Sequence, residues 1–241
     1  YTGEDTLSLH DALPIYRGWT RDFGPIFIKN ETETAIAGFK FNAWAKYDDH
    51  ELDSQIAKKL AKKLKKQYFP IKHNRKPFVL EGGAIDVNGK GTLLTTEECL
   101  LDQETQVRNP GLSKSETEAV LAVSLGATNV LWLNKGIVGD DTHGHIDDLC
   151  RFVDAKTVVL CRESDPKDAN YALLEENRER LEGFRLENGK KIIITTVQKF
   201  PFIVDGIGQL SDRKFAVIID EAHSSQSGVA ADKVNETLAG Q

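Results

Sequence analysis

Residues 89–133, GKGTLLTTEECLLDQETQVRNPGLSKSETEAVLAVSLGATNVLWL, hold two apolar runs on either side of one helical pattern. GKGTLLTT at 89–96 leaves a glycine-marked turn and enters a leucine and threonine run of strand character. Ser113 is placed to cap a helix, Glu116 completes a capping box, and the apolar stripe that follows ends near Gly126. TNVLWL at 128–133 then reads as a strand. Strand, helix and strand in so short a space is a small α/β unit.

The same alternation extends to both sides. PIFIK (25–29), TAIAGFKF (34–41) and KPFVLEGG (76–83) read as strands, and 50–67 reads as a helix. Ile56, Leu60 and Leu64 recur at helical spacing beside Ala57 and Ala61, which makes the lysines of KKLAKKLKK (58–66) a wet face rather than a phosphate site. Beyond residue 133, strands near 148–153 and 157–161 precede a helix at about 165–183. The predicted architecture is α/β, built from repeated small units whose sequences show no visible repeat. After Gly189 the character changes to β-branched apolar runs, KIIITTVQKFPFIV (191–204) and KFAVIIDEAH (214–223), and a boundary is expected near 188–192.

Composition narrows the function classes. With 40% hydrophobic and 28% charged residues over 241 positions, the chain has the make-up of a globular protein that buries a sizeable core. A net charge of -6 argues against generic nucleic-acid binding. No apolar run approaches the roughly 20 residues that span a bilayer, and no secretory leader is visible, so a cytoplasmic location is the default expectation. Cys99, Cys150 and Cys161 show neither CxxC nor Cys/His metal spacing, and read as free thiols. The absence of methionine suggests a processed chain or a fragment.

Three clusters carry chemistry. WTRDFGP (19–25) brings Trp19 and Asp22; LEGGAI (80–85) brings Glu81 ahead of two glycines; GDDTHGHIDD (139–148) packs in Asp140, Asp141, His143, His145, Asp147 and Asp148. Carboxylates on two sides can hold a planar guanidinium by paired charge-assisted hydrogen bonds, and a tryptophan face adds cation–π attraction. A histidine among such carboxylates is favoured as imidazolium and suits acid and base work near neutral pH. A divalent cation on the oxygen-rich third cluster, or a merely solvated acidic loop, stays open on these residues alone.

WTRDFGP, FNAWAKY (41–47), LEGGAIDVNGKGTLLTTEECLL (80–101), RNPGLSKSE (108–116) and GDDTHGHIDDLCRFV (139–153) together resemble the agmatine deiminase family of guanidine-modifying enzymes, in order and spacing, from Tyr16 to about Lys190. The resemblance implies an incomplete five-bladed pseudo-symmetric α/β propeller and hydrolysis of agmatine to N-carbamoylputrescine and ammonia, with no cofactor. It also implies roles: Asp22 and Asp147 as guanidinium-binding carboxylates, His145 as general acid and base, Glu81 as the acid orienting that histidine, and Trp19 and Asp141 as further substrate contacts. The nucleophile of such a family is a cysteine in a glycine-rich His-Cys-x-Thr stretch, and nothing in these 241 residues matches it. The chain alone is therefore expected to bind a guanidinium without turning it over, and a non-catalytic guanidine-binding protein is a further reading.

The two ends read differently. SLHDALPI (8–15) resembles translated sequencing adapter, so residues 1–15 are set aside as a foreign or disordered tail. Residues 191–241 resemble a short α/β fragment of the helicase-type motor subunit of type I restriction enzymes, in which Asp220 would orient Mg²⁺ and Glu221 would polarise water. No GxxxxGK[ST] loop accompanies them, so a DNA-translocating ATPase is only the alternative, and a chimeric junction is expected.

Overall fold

The computed structural model describes residues 14–186, 189, 190 and 192–195. They form three units of one topology. In the first, α1 (Thr20–Phe23) leads into β1 (Ile26–Lys29) and β2 (Thr34–Gly38), then α2 (Glu51–Ser54) and α3 (Ile56–Lys63) cross over to β3 (Tyr68–Pro70). A two-stranded hairpin of β4 (Lys72–His73) and β5 (Lys76–Pro77) follows. The second unit runs β6 (Asp86–Val87), β7 (Thr92–Thr96), α4 (Glu97–Leu101), α5 (Lys114–Leu125) and β8 (Asn129–Leu133). The third runs β9 (Cys150–Phe152), β10 (Thr157–Leu160), α6 (Tyr171–Gly183) and β11 (Ile193–Thr195).

Each unit is an antiparallel hairpin whose second strand also pairs in parallel with the strand after the helical crossover. β1–β2, β6–β7 and β9–β10 are antiparallel, and β2–β3, β7–β8 and β10–β11 are parallel. The topology follows from connection length: a hairpin needs only a tight turn, whereas a parallel return needs a crossover, here helical. Ile192 packs in the same core cluster as Leu160, and Thr157 pairs with Ile193, so residues just past the expected 188–192 junction belong to the third sheet. Asp220 and Glu221 lie outside the described residues.

The central sheet is covered on both faces. Leu93 and Trp132 point into a cluster with Ala37, Phe78, Leu80 and Leu121, while their neighbours Leu94, Leu131 and Leu133 point into a cluster with Ile146, Val158, Leu160 and Leu181. All of β7 is buried, which explains its uninterrupted run without polar alternation. The expected capping box is present, with Ser113 accepting from the Glu116 amide and Glu116 accepting from the Ser113 amide, and Gly126 ends α5 in the left-handed conformation at φ 70°.

Three expectations need correction. The helix over 50–67 is two helices, α2 and α3, divided at Gln55 and stopping before the lysines run out. The helix at 165–183 begins only at Tyr171, because Asp165 and Asp168 accept from the amides two residues on and hold 165–170 in turns. KPFVLEGG is a strand only at β5. Beyond it, the Val79 amide donates to the Asn109 side-chain oxygen, whose amide nitrogen donates back to the Val79 carbonyl, at 2.9 Å each. The Asn109 side chain thus satisfies both backbone groups of Val79, as a neighbouring strand would. Among the described residues no helix is long and apolar enough to cross a membrane.

Candidate active site

Asp22, Glu81 and His145 sit at equivalent places, each a few residues ahead of the first strand of its unit. The three lead-in segments are stitched together through Gly82 and Gly83. The Gly82 amide donates to the Asp22 carbonyl at 3.2 Å, the Gly83 amide to Asp22 Oδ1 at 3.0 Å, and the Asp147 amide to the Gly83 carbonyl at 3.2 Å. Arg21 closes the seam by donating from Nε to the Gly82 carbonyl.

The stitching converges four ionisable groups. His145, 2% exposed, points Nδ1 at Asp22 Oδ1 and Asp147 Oδ1, each 3.7 Å away, and Nε2 at Glu81 Oε2, 3.8 Å away. Asp22 Oδ2 also accepts from the Trp44 indole at 2.9 Å. Glu81 is wholly buried and takes its charge partner from Arg108, whose Nε lies 3.2 Å from Oε1. Among the described residues, Glu81 Oε2 and His145 Nε2 have no hydrogen-bond partner. Gly83 lets the cluster close up against the backbone: a Cβ there would lie 2.5 Å from Asp22 Oδ1, 2.5 Å from His145 Nδ1 and 2.9 Å from Asp147 Oδ2.

Proton affinities follow from burial and these neighbours. Burial raises the Asp22 carboxyl above its ordinary value, and His145 and the Trp44 hydrogen bond only partly oppose it. Burial likewise raises Asp147, with His145 opposing and the Asp22 charge adding to the rise. Burial would lower the His145 imidazole, but Glu81, Asp22 and Asp147 outweigh it and raise it. Burial would raise Glu81, yet Arg108 and His145 bring it below its ordinary value. Asp22, Asp147 and His145 all hold protons more tightly folded than unfolded. Their contribution to stability is therefore full at acid pH and is lost as pH rises through their raised folded values. The melting temperature of the ligand-free chain is expected to fall as pH rises past that range, and Asp22→Asn should flatten the fall; a slope that steepens in the variant would contradict the assignment.

The remaining expected site residues lie elsewhere. Asp141 is exposed, ion-paired with Lys46 and hydrogen-bonded by the Tyr47 hydroxyl at 2.9 Å, so its carboxylate is engaged away from the His145 cluster. Trp19 is 55% exposed at the entry to α1. Asp140 folds its own loop, accepting from the Thr142 hydroxyl and the amides of Thr142, Gly144 and His145, and does not gather with Asp141 and Asp148 as a cation cage. His143 is 2.7 Å from Asp102. Arg108 and Trp44 gather with the His145 cluster although the sequence reading names neither by itself, whereas Gly83 is one of the two glycines noted after Glu81. Arg108 carries a usable signal, because RNPGLSKSE opens on it and a buried glutamate needs a cation. Cys99 and Cys150 are buried, and burial raises both thiols well above the ordinary range.

Small mixed-sheet α/β units thus pool their lead-in loops around a buried histidine and three carboxylates. The chain belongs to the Porphyromonas-type peptidyl-arginine deiminase family, whose model matches residues 7–224 and so spans position 190 and includes Asp220 and Glu221. It is similar to the provisionally named agmatine deiminase of Legionella pneumophila (strain Paris), 41% identical over 79% of this chain and 53% of the relative. It is also similar to the agmatine deiminase of Pseudomonas syringae pv. tomato, 36% identical over 86% of this chain and 55% of the relative. Among solved structures, agmatine deiminase of Enterococcus faecalis aligns at 33% identity and a TM-score of 0.68, over 74% of this chain and 48% of that one. The chain spans about half the length of the curated relatives it matches.

Proposed function

We propose that these residues form the guanidinium-binding and proton-transfer part of an agmatine deiminase-type hydrolase, which converts agmatine and water to N-carbamoylputrescine and ammonia. The observation that carries this reading is the gathering of the Asp22 and Asp147 carboxylates on Nδ1 of the buried His145, each 3.7 Å away. A guanidinium held by these two carboxylates makes charge-assisted hydrogen bonds to both, and its charge draws both raised carboxyls into the anionic form. His145 is then the imidazolium that protonates departing ammonia and the base that activates water, and Glu81, held ionised by Arg108, orients it. A cysteine-to-serine variant of C. jejuni agmatine deiminase with substrate bound, 35% identical to this chain with a TM-score of 0.62, supports a guanidinium ligand for the class.

None of the three thiols suits nucleophilic attack on the guanidinium carbon, which needs an accessible thiolate: Cys99 and Cys150 are buried, and burial and Asp148 raise Cys161, whose Sγ faces the Asp148 carbonyl at 3.6 Å. Binding and proton transfer are thus assigned to this segment, and the nucleophile to a part of the whole protein beyond the described residues. The three repeated units fit a larger ring of five, in keeping with a match that spans only 53% of the Legionella relative.

The test is calorimetric titration of the 241-residue chain with agmatine, paired with an ammonia assay. Binding is expected, tightening as pH rises while the raised carboxyls deprotonate, without ammonia release. Asp22→Asn and Asp147→Asn should each weaken it by about 10–100-fold, the worth of one charge-assisted hydrogen bond. Asp141→Asn should leave it unchanged. Wild-type protein giving no heat with agmatine at any pH would remove the proposal.

A further inference from the structure

The far side of His145, where Glu81 orients it, also carries a thiol that guanidinium chemistry does not use. Cys99 Sγ, a carboxylate oxygen of Glu81 and a ring nitrogen of His145 lie within 4.8 Å of one another, and all three residues are buried. Nε2 is the ring nitrogen that faces Glu81, at 3.8 Å from Oε2, and both atoms are buried without a hydrogen-bond partner among the described residues. Two buried polar atoms left unsatisfied cost free energy that a shared ligand would recover.

We propose that Glu81, Cys99 and His145 form a site for a soft divalent cation of the zinc type, with three protein ligands and a fourth position for water. Thiolate, imidazole and carboxylate are the ligand types zinc takes, and its bond lengths put tetrahedral ligand atoms about 3.3–3.6 Å apart. Oε2 and Nε2 already stand close to that spacing, and closing the remaining edges takes at most about 1.5 Å. The surroundings are built for it. His145 Nδ1 faces the carboxylates of Asp22 and Asp147, the outer-shell arrangement that orients a metal-bound imidazole. Glu81 Oε1 is occupied by Arg108, which leaves Oε2 for the cation. Arg108 opposes a second positive charge, but Glu81, Asp22, Asp140 and Asp147 outnumber it.

On binding, the Cys99 thiol gives its proton to solvent as the sulfur–metal bond forms, and a protonated His145 gives up its Nε2 proton as the nitrogen–metal bond forms. Binding is therefore tighter at higher pH. Where His145 serves as the acid and base assigned above, a cation on Nε2 takes away its proton and arrests transfer, so the site is inhibitory; that consequence rests on the proposed function, whereas the binding site does not.

Cobalt(II) titration of the metal-free 241-residue chain, read by absorption, tests the site without using agmatine. The expected result is one cobalt per chain, with the intense visible bands of tetrahedral cobalt and a near-ultraviolet thiolate-to-cobalt band, both displaced by zinc. Cys99→Ala and the volume-conserving Cys99→Ser should each remove the thiolate band and weaken zinc at least ~100-fold. Cys150→Ala, an equally buried thiol outside the cluster, should change neither. The proposal is overturned by a wild-type spectrum without a thiolate band, or by a band that survives in either Cys99 variant. Agmatine titration of the metal-free chain fails or succeeds independently, so the two readings can fall separately.

Discussion

Gly83→Ala should lose agmatine binding by more than ~100-fold while costing the fold only about 1–3 kcal/mol, the usual range for an added methyl in a packed interior. The binding loss follows from which atoms the methyl would meet. Asp22 Oδ1, His145 Nδ1 and Asp147 Oδ2 all lie within 2.9 Å of the new Cβ position, so at least two ligand-facing groups must swing away. Each charge-assisted hydrogen bond lost is worth about 1.5–3 kcal/mol, or roughly 10–100-fold in affinity. The backbone adds nothing to this, because Gly83 does not occupy the left-handed region where only glycine is comfortable. Gly183→Ala, where a Cβ would have open space, serves as the control. Urea unfolding and calorimetry separate the two effects; a variant that binds agmatine like the wild type would show that Asp22, His145 and Asp147 are not the groups that hold the guanidinium.

Arg108→Met should destabilise the chain by about 3–5 kcal/mol, because it leaves the Glu81 carboxylate buried without its counter-ion. Both side chains of the pair are fully shielded from solvent, so water cannot make good the loss. The double variant Arg108→Met with Glu81→Gln removes the stranded charge and should recover much of that stability. It should not recover proton transfer, since a neutral amide in place of the Glu81 carboxylate no longer favours the charged imidazole. Denaturant unfolding of the two single variants and the double variant gives the coupling directly. An Arg108→Met variant within about 0.5 kcal/mol of wild type would mean that Glu81 is already protonated in the fold.

What the sequence makes legible is what is local. Ser113, Glu116 and Gly126 bound α5 correctly because caps act within a turn of the helix end. The β7 run and its parallel neighbour β8 are legible because both faces of their sheet are buried. The extended path over 78–80 reads as a strand yet makes only a single parallel bridge, to Lys40, while the Asn109 side chain, thirty residues on from Val79, pairs with its other edge. The α2–α3 break leaves no signal in a stripe that continues through it.

The site divides along the same line. The motifs carrying Asp22, Glu81, His145 and Asp147 stand out as compact polar loops with glycines, and the structure brings these four together. The engagement of Asp141 by Lys46 and Tyr47, the Arg108 counter-ion and the closeness of Cys99 to His145 depend on contacts between distant segments, which spacing along the chain does not encode.

Because each unit keeps its hydrogen-bonded sheet to itself and brings Asp22, Glu81, His145 and Asp147 to the pooled site on the loop ahead of its first strand, sheet pairing and most of the site are written on different residues. One lead-in loop can drift without unpairing any strand, so a change of ligand needs no change of scaffold. Repetition of a single ββαβ module thereby gives this lineage room to diversify its chemistry one loop at a time.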